Sequence, residues 1–191
     1  VLHHYGEYLP SWHHPWEDYR DFYASKKRTG AGREMVPFEL VCLTALFGKI
    51  KSVKGSKTRT GILDSEIDDL YNAILDFENG VKGMLTVDVI SRIPYRQTKI
   101  LTEKGVIESD WNKKNIKVFT ECDGWKKFTI DSGKPEKNYI QGEGTYIDEI
   151  QGFIQAVKKQ KTFPYSFKED LYILNILETI EKDSNEMMVN D

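Results

Sequence analysis

Cysteine, long apolar runs and an excess of charge of either sign are all scarce in this chain. Two cysteines among 191 residues, Cys42 and Cys122, are too few for a disulfide framework. Cys42 falls inside an apolar helical pattern and Cys122 beside a turn, which fits a reducing, cytoplasmic setting. No apolar stretch approaches the ~18 residues that a membrane helix needs, and no leader-like segment opens the sequence, so no membrane partner is expected. The formal net charge of −3 gives no electrostatic footing for nucleic acid or an anionic membrane. Phosphate-binding motifs are missing too, since no G-x-x-x-x-G-K-[ST] loop occurs. Gly30-Ala31-Gly32 is only a fragment of a dinucleotide fingerprint. That pattern needs Gly or Ala at position 35, where Met35 stands, and an apolar strand ahead, where Ser25-Lys26-Lys27-Arg28-Thr29 stands. No cofactor is therefore expected on this chain.

What is present suggests one folded unit, residues 1–191. An apolar fraction of 39% and a charged fraction of 30% are enough for a single domain with a real core. Val1-Leu2-His3-His4-Tyr5 reads as strand from the first residue. Natural chains seldom begin inside a sheet element, so a piece of a longer protein is expected. Residues 1–9 predict a strand ended by Pro10, residues 10–16 a loop, and Trp16 to Ser25 a short helix. Glu34 to Phe47 predicts an apolar, buried helix with Pro37 in its first turn and Gly48 at its end. From Lys49 to Asp131 the period drops to two. Strands are predicted at Ile50–Thr58, at Tyr71–Phe77 and Val81–Val89 around an Asn79-Gly80 turn, and at Arg96–Glu103, Val106–Trp111, Ile116–Glu121 and Trp125–Ile130. Two helices follow, opened by capping patterns at Thr145–Asp148 and Ser166–Glu169. The fold class is α+β: an open, mostly antiparallel, meandering sheet with helices packed on one face. Ile74 and Met84 fall near each other on the other face, a candidate dimer surface. Isolated surface apolar residues are the alternative.

All four histidines lie in the first fourteen residues. His3 and His4 are neighbours in a strand, point to opposite faces and cannot share an ion. His13 and His14 sit in the loop with no further His or Cys at metal spacing, so a polar ligand is favoured over a metal. Lys26, Lys27, Arg28 and Arg33 surround the glycine bend ahead of a helix start, where free N–H groups and the dipole can hold an anion. Tyr8, Trp12, Trp16, Tyr19 and Tyr23 can stack on a sugar ring. Aromatics that cover a core edge, with solvated bases, are the open alternative. No nucleophile–base pair stands out; Ser11 near His13 is a coincidence of sequence. Glu34, at the helix start, is placed to face a ligand, and Glu39 to pair internally with Arg33 or Arg96.

The run Gly6-x-Tyr8-Leu9-Pro10-x-Trp12-His13, then Pro15-Trp16-Glu17-Asp18-Tyr19-Arg20, then Gly30-x-Gly32 and an apolar helix ending in Leu46-Phe47-Gly48 resembles the glucose–fructose oxidoreductase / inositol dehydrogenase (Gfo/Idh/MocA) family. Phe77-Glu78-Asn79-Gly80-Val81-x-Gly83, Gly105-Val106-Ile107, Tyr146-x-x-Glu149-Ile150-x-x-Phe153-Ile154 and Ser166-x-x-Glu169-Asp170 agree with its carboxy-terminal substrate domain. The resemblance implies an open sheet often paired through its free face into a homo-oligomer. It also implies hydride transfer between NAD or NADP and a sugar, nucleotide-sugar or polyol hydroxyl. The cofactor, and a catalytic lysine in a Glu-Lys-Pro motif, would belong to an amino-terminal Rossmann domain that this sequence does not contain. The family's helix carries an Asp and a His near its start; the places here hold Met35 and Phe38. Phenylalanine cannot move a proton, so that role is vacant or passes to His13, His14, Tyr19 or Glu34. Trp12, Trp16, Lys27, Arg33 and Arg96 are the expected substrate-binding residues. A non-catalytic binding or dimerisation module on the same fold is the alternative.

Overall fold

The first strand is threaded into the middle of the sheet. β1 (Leu2–Tyr8) lies between β4 (Lys82–Asp88) and β5 (Ile90–Thr102) in a computed structural model that describes residues 1–12, 14, 16–130 and 144–186. β2 (Ile50–Thr58), β3 (Leu70–Phe77), β6 (Gly105–Asp110), β7 (Asn115–Thr120) and β8 (Gly124–Thr129) complete an eight-stranded sheet of order β2-β3-β4-β1-β5-β6-β7-β8. β1 runs parallel to β4 and antiparallel to β5; every other pair is antiparallel. The fold class is the expected α+β, but the uninterrupted meander is corrected. Only Val89 separates β4 from β5, too little for a hairpin. Asp88 Oδ1 instead accepts from the amides of Ile90 and Ser91 at 3.1 and 2.9 Å, and the chain bends past the end of β1. Gly6 permits this approach, because a Cβ there would come within 2.8 Å of Ser91 Oγ and 2.9 Å of Asp88 Oδ2.

The Asn79-Gly80 turn forms as expected, with Gly80 at a φ of 88° and Phe77 N donating to Val81 O at 2.9 Å. The resulting register sets Ile74 beside Met84, and Met84 beside Leu2 on β1. All three are exposed on the face away from Leu75 and Leu85, which are buried.

α1 spans Ala31–Phe47 and α3 spans Phe167–Glu186; both pack on the β2–β4 half of the sheet. Val36, Leu40 and Leu43 of α1 and Ile173, Leu177 and Ile180 of α3 meet Leu75, Leu85 and Val87. Each such buried side chain contributes roughly 1.5–3 kcal/mol by its transfer from water. The predicted box at Ser166 is present: Ser166 N donates to Glu169 Oε2 at 2.7 Å, and Glu169 N donates back to Ser166 Oγ at 3.3 Å. A second apolar cluster, Leu9, Ala24, Ala31, Leu63, Ile67 and Val89, ties the loops after β1 to the start of α1.

Three expectations need correcting. The helix predicted over Trp16–Ser25 is two short 3-10 turns, Tyr19–Asp21 and Tyr23–Ser25, because Asp18 caps the amide of Arg20 and holds its guanidinium. α1 begins at Ala31, so Pro37 lies in the second turn and deprives the Arg33 carbonyl of its usual partner. The early start requires glycine at position 32, where a Cβ would meet the Asp68 carbonyl oxygen at 2.7 Å. Nor is α1 buried all round: Phe38 and Leu46 are 58% and 66% exposed, whereas Glu39 is 1% exposed. α1 rests on one face of the sheet, and among the described residues no layer covers its outer side. In α2 (Gly144–Val157), Tyr146, Ile150, Phe153 and Val157 are likewise exposed. The Thr145 side chain, the centre of the other predicted cap, lies outside the described residues.

Candidate active-site cleft

Strand alternation places His3, Tyr5 and Glu7 on the side of β1 that faces the helices. The register with β5 sets Thr98 beside His3 and Arg96 beside Tyr5. α1 lowers Glu39 and Cys42 onto this row. Glu39 Oε2 accepts from His3 Nε2 at 2.6 Å and from Arg96 Nε at 2.8 Å. As a carboxylate Glu39 can only accept, so His3 carries a proton on Nε2, and its Nδ1 meets Thr98 Oγ1 at 2.7 Å. Arg96 also donates from Nη2 to Cys42 Sγ at 3.0 Å, and its Cζ lies 5.7 Å from the Trp111 ring centroid.

These groups border a cleft of about 730 Å³, within the range of small-molecule sites. Its floor is Tyr5, Glu7 and Arg96. Met35, Phe38 and Cys42 of α1 form one wall, with Trp111, Tyr146 of α2 and Asp170 of α3 around the rest. Burial pushes the Glu7 carboxyl above the usual glutamate range, helped by the nearby Glu39, against the opposing donors Tyr5 and Trp12. Burial and then Glu7 drive the Tyr5 phenol well upward. Burial likewise raises the Cys42 thiol. Burial opposes the charge on Arg96, but Glu39, Cys42 and Tyr5 together outweigh it, so the guanidinium stays firmly protonated.

The residues expected from sequence are spread over more than this cleft. Arg96 lines it, and Trp12 lies against Glu7 beneath it. Lys27 and Arg33 border a separate cavity of about 380 Å³, with Arg28, Lys57, Asp68 and Glu181. There Arg33 Nε is held by Glu181 at 2.9 Å and Lys57 by Asp68 at 2.8 Å. Of the two partners foreseen for Glu39, Arg96 is therefore the one it takes. Tyr19 packs on the second core cluster, and its hydroxyl accepts from the Asp64 amide at 2.9 Å. Glu34 Oε1 accepts from Tyr23 at 3.1 Å, while its Oε2 is buried and unpartnered. His14 stacks on the exposed Trp16 with ring centroids 4.5 Å apart. His13 lies outside the described residues. Sequence reasoning missed Tyr5, Glu7, Cys42, Trp111 and Asp170 as cleft residues. The alternation that separated His3 from His4 carries on through Tyr5 and Glu7, and was the signal for two of them.

The residues at the glycine bend do not fit a dinucleotide. A Cβ on Gly30 would meet Ile67 at 2.9 Å, and one on Gly32 would meet the Asp68 backbone, so these glycines serve close packing and leave no open cradle. Among the described residues no group of three or more His, Cys, Asp or Glu side chains is arranged to hold a metal. Nor, among them, is any helix long and apolar enough to cross a membrane.

The architecture is an open α+β sheet backed by two helices, with a polar–aromatic cleft at the edge of that packing. Residues 1–108 match the GFO/IDH/MocA C-terminal domain model, and the chain belongs to that family. Solved structures share its fold. Levoglucosan dehydrogenase in complex with NADH and levoglucosan superposes with a TM-score of 0.78 at 16% identity, over 97% of this chain and 56% of that one. An oxidoreductase from Thermotoga maritima gives 0.68 at 18% identity, over 96% of this chain and 52% of that one. An oxidoreductase domain protein from Kribbella flavida gives 0.71 at 15%, over 98% and 56%. The chain thus spans little more than half the length of these structures. No curated protein sequence matches it.

Proposed function

We propose that this chain is the substrate-binding half of an NAD- or NADP-dependent oxidoreductase acting on a sugar or polyol hydroxyl. The cofactor is held by a nucleotide-binding part outside residues 1–191. The observation that carries the reading is the cleft. Carboxyl groups and the rings of Trp111, Tyr146 and Tyr165 line it together with one guanidinium held by Glu39 and Cys42, a lining suited to many hydroxyls on a small ring. The fold shared with levoglucosan dehydrogenase supports the same class. The exposed apolar stripe of α2 offers a packing surface for the missing part. The unpaired cysteines, Cys42 and Cys122, agree with a reducing cytoplasmic location. Full-length protein incubated with either nicotinamide cofactor and a panel of sugars, inositols and nucleotide-sugars should reduce the cofactor with at least one of them. Silence across the panel from protein shown to bind the cofactor would overturn the reading.

A second reading, a non-catalytic binding module, has one observation in its favour. Phe38, which holds the place of the family's acid–base histidine, faces the cleft as a hydrocarbon. His14→Ala separates the two in part: an active full-length protein indifferent to it has its proton carrier elsewhere.

A further inference from the structure

We propose, resting on the sugar reading above, that the cleft selects its substrate by charge: it takes uncharged or aminated sugars and rejects sugar acids, sugar phosphates and nucleotide-linked sugars. Carboxyl groups dominate its polar lining, with Glu7 on β1, Glu39 on α1, Glu149 on α2 and Asp170 on α3. Among the described lining residues the cation is Arg96, and it is already engaged. Its Nε is on Glu39 at 2.8 Å, its Nη2 on Cys42 at 3.0 Å, and its guanidinium lies over Trp111. Its charge is already matched by Glu39, which is 1% exposed and also bound to His3, so it offers an incoming anion little unpaired positive charge.

Carboxylate oxygens accept hydrogen bonds, and sugar hydroxyls and ammonium groups donate them. A phosphate or carboxylate brings acceptors to acceptors and negative charge to negative charge. At cleft distances and partial desolvation that repulsion is large enough to weaken binding about tenfold or more. The ring faces of Tyr5, Trp111 and Tyr146 are indifferent to the substituent's charge, so they supply affinity without discrimination. Selectivity is left to Glu7, Glu149 and Asp170, since Glu39 is taken up by Arg96 and His3.

Calorimetric binding to the full-length protein tests this with a matched series on one ring: a neutral hexose, its amino derivative, its uronic acid and its phosphate ester. The neutral and amino sugars should bind, and the acid and the phosphate at least about tenfold more weakly. The gap should narrow with added salt. It should narrow again in Glu7→Gln combined with Asp170→Asn, with circular dichroism confirming that the variant is folded. An acid or phosphate bound as tightly as the neutral sugar overturns the charge inference while the sugar reading stands. A gap untouched by both salt and the paired substitutions overturns it as well. Binding of no member of the series overturns the sugar reading, and this inference with it.

Discussion

Glu39 and Arg96 form an ion pair at 2.8 Å across the seam between α1 and β5, and the same Oε2 takes a second donor, His3 Nε2, at 2.6 Å. The carboxyl side chain is 1% exposed, the guanidinium 27%. Removing the carboxyl strands two donors in a region with little water. Glu39→Ala is expected to cost about 3 kcal/mol, the lower end for breaking a buried pair, because Arg96 can reach partial solvent. Asp76→Ala, which removes an exposed pair with Lys82, is expected to cost far less. Chemical denaturation of the two variants checks this. Equal losses would mean that the buried pair is not what fastens α1 to β5.

How much of this was legible beforehand follows a physical division. Period two named the strands, and Asn79-Gly80 fixed the Ile74–Met84 register, because those signals lie within a few residues of each other. The position of β1 between β4 and β5 did not show. It depends on a pairing between residues more than eighty apart, Leu2 with Met84. Glu39 was legible as an internal partner of Arg33 or Arg96, and Arg96 is the one it takes. Glu7 was not. Alternation gives the face that Glu7 shares with His3, but not that helices will cover that face and leave a cleft over the carboxyl. The basic residues at the glycine bend suggest an anion site by type; of them Arg33 meets Glu181, on a helix at the far end of the chain, a pairing no local pattern reveals.

Glu7 gives a pH prediction. Its folded-state carboxyl titrates above the ordinary glutamate range, chiefly through burial. The folded protein therefore keeps this proton to a higher pH than the unfolded chain does. Stability from this group is fully present below the ordinary glutamate value and is lost as pH rises through the raised one. Glu7→Gln cannot ionise, so it should be relatively more stable than the wild type at neutral pH and should flatten that part of the pH profile. Denaturation midpoints measured from acid to neutral pH decide it; parallel profiles for the two proteins would show that Glu7 is not destabilised by its surroundings.

The open face of the sheet gives the last prediction. Ile74, Met84 and Leu2 stand side by side on β3, β4 and β1, at 58%, 55% and 45% exposure. The same row continues into Lys99 on β5, Glu108 on β6 and Lys117 on β7, which pair in register. An apolar strip that runs into a ladder of alternating charge suits a two-fold contact with a second copy: the apolar halves bury one another, and the charged halves fix the alignment. Placing a lysine in the strip, as Ile74→Lys, would bury an unpaired charge at such a contact. It is expected to weaken self-association at least about tenfold, or ~1.4 kcal/mol. Leu46→Lys, a substitution of the same kind at an exposed position on α1, away from this sheet face, should have a much smaller effect. Sedimentation equilibrium over a range of concentrations reads both. A wild-type protein that stays monomeric at high concentration, or an Ile74→Lys variant that associates as tightly as the wild type, would remove this face from the list of contacts between copies.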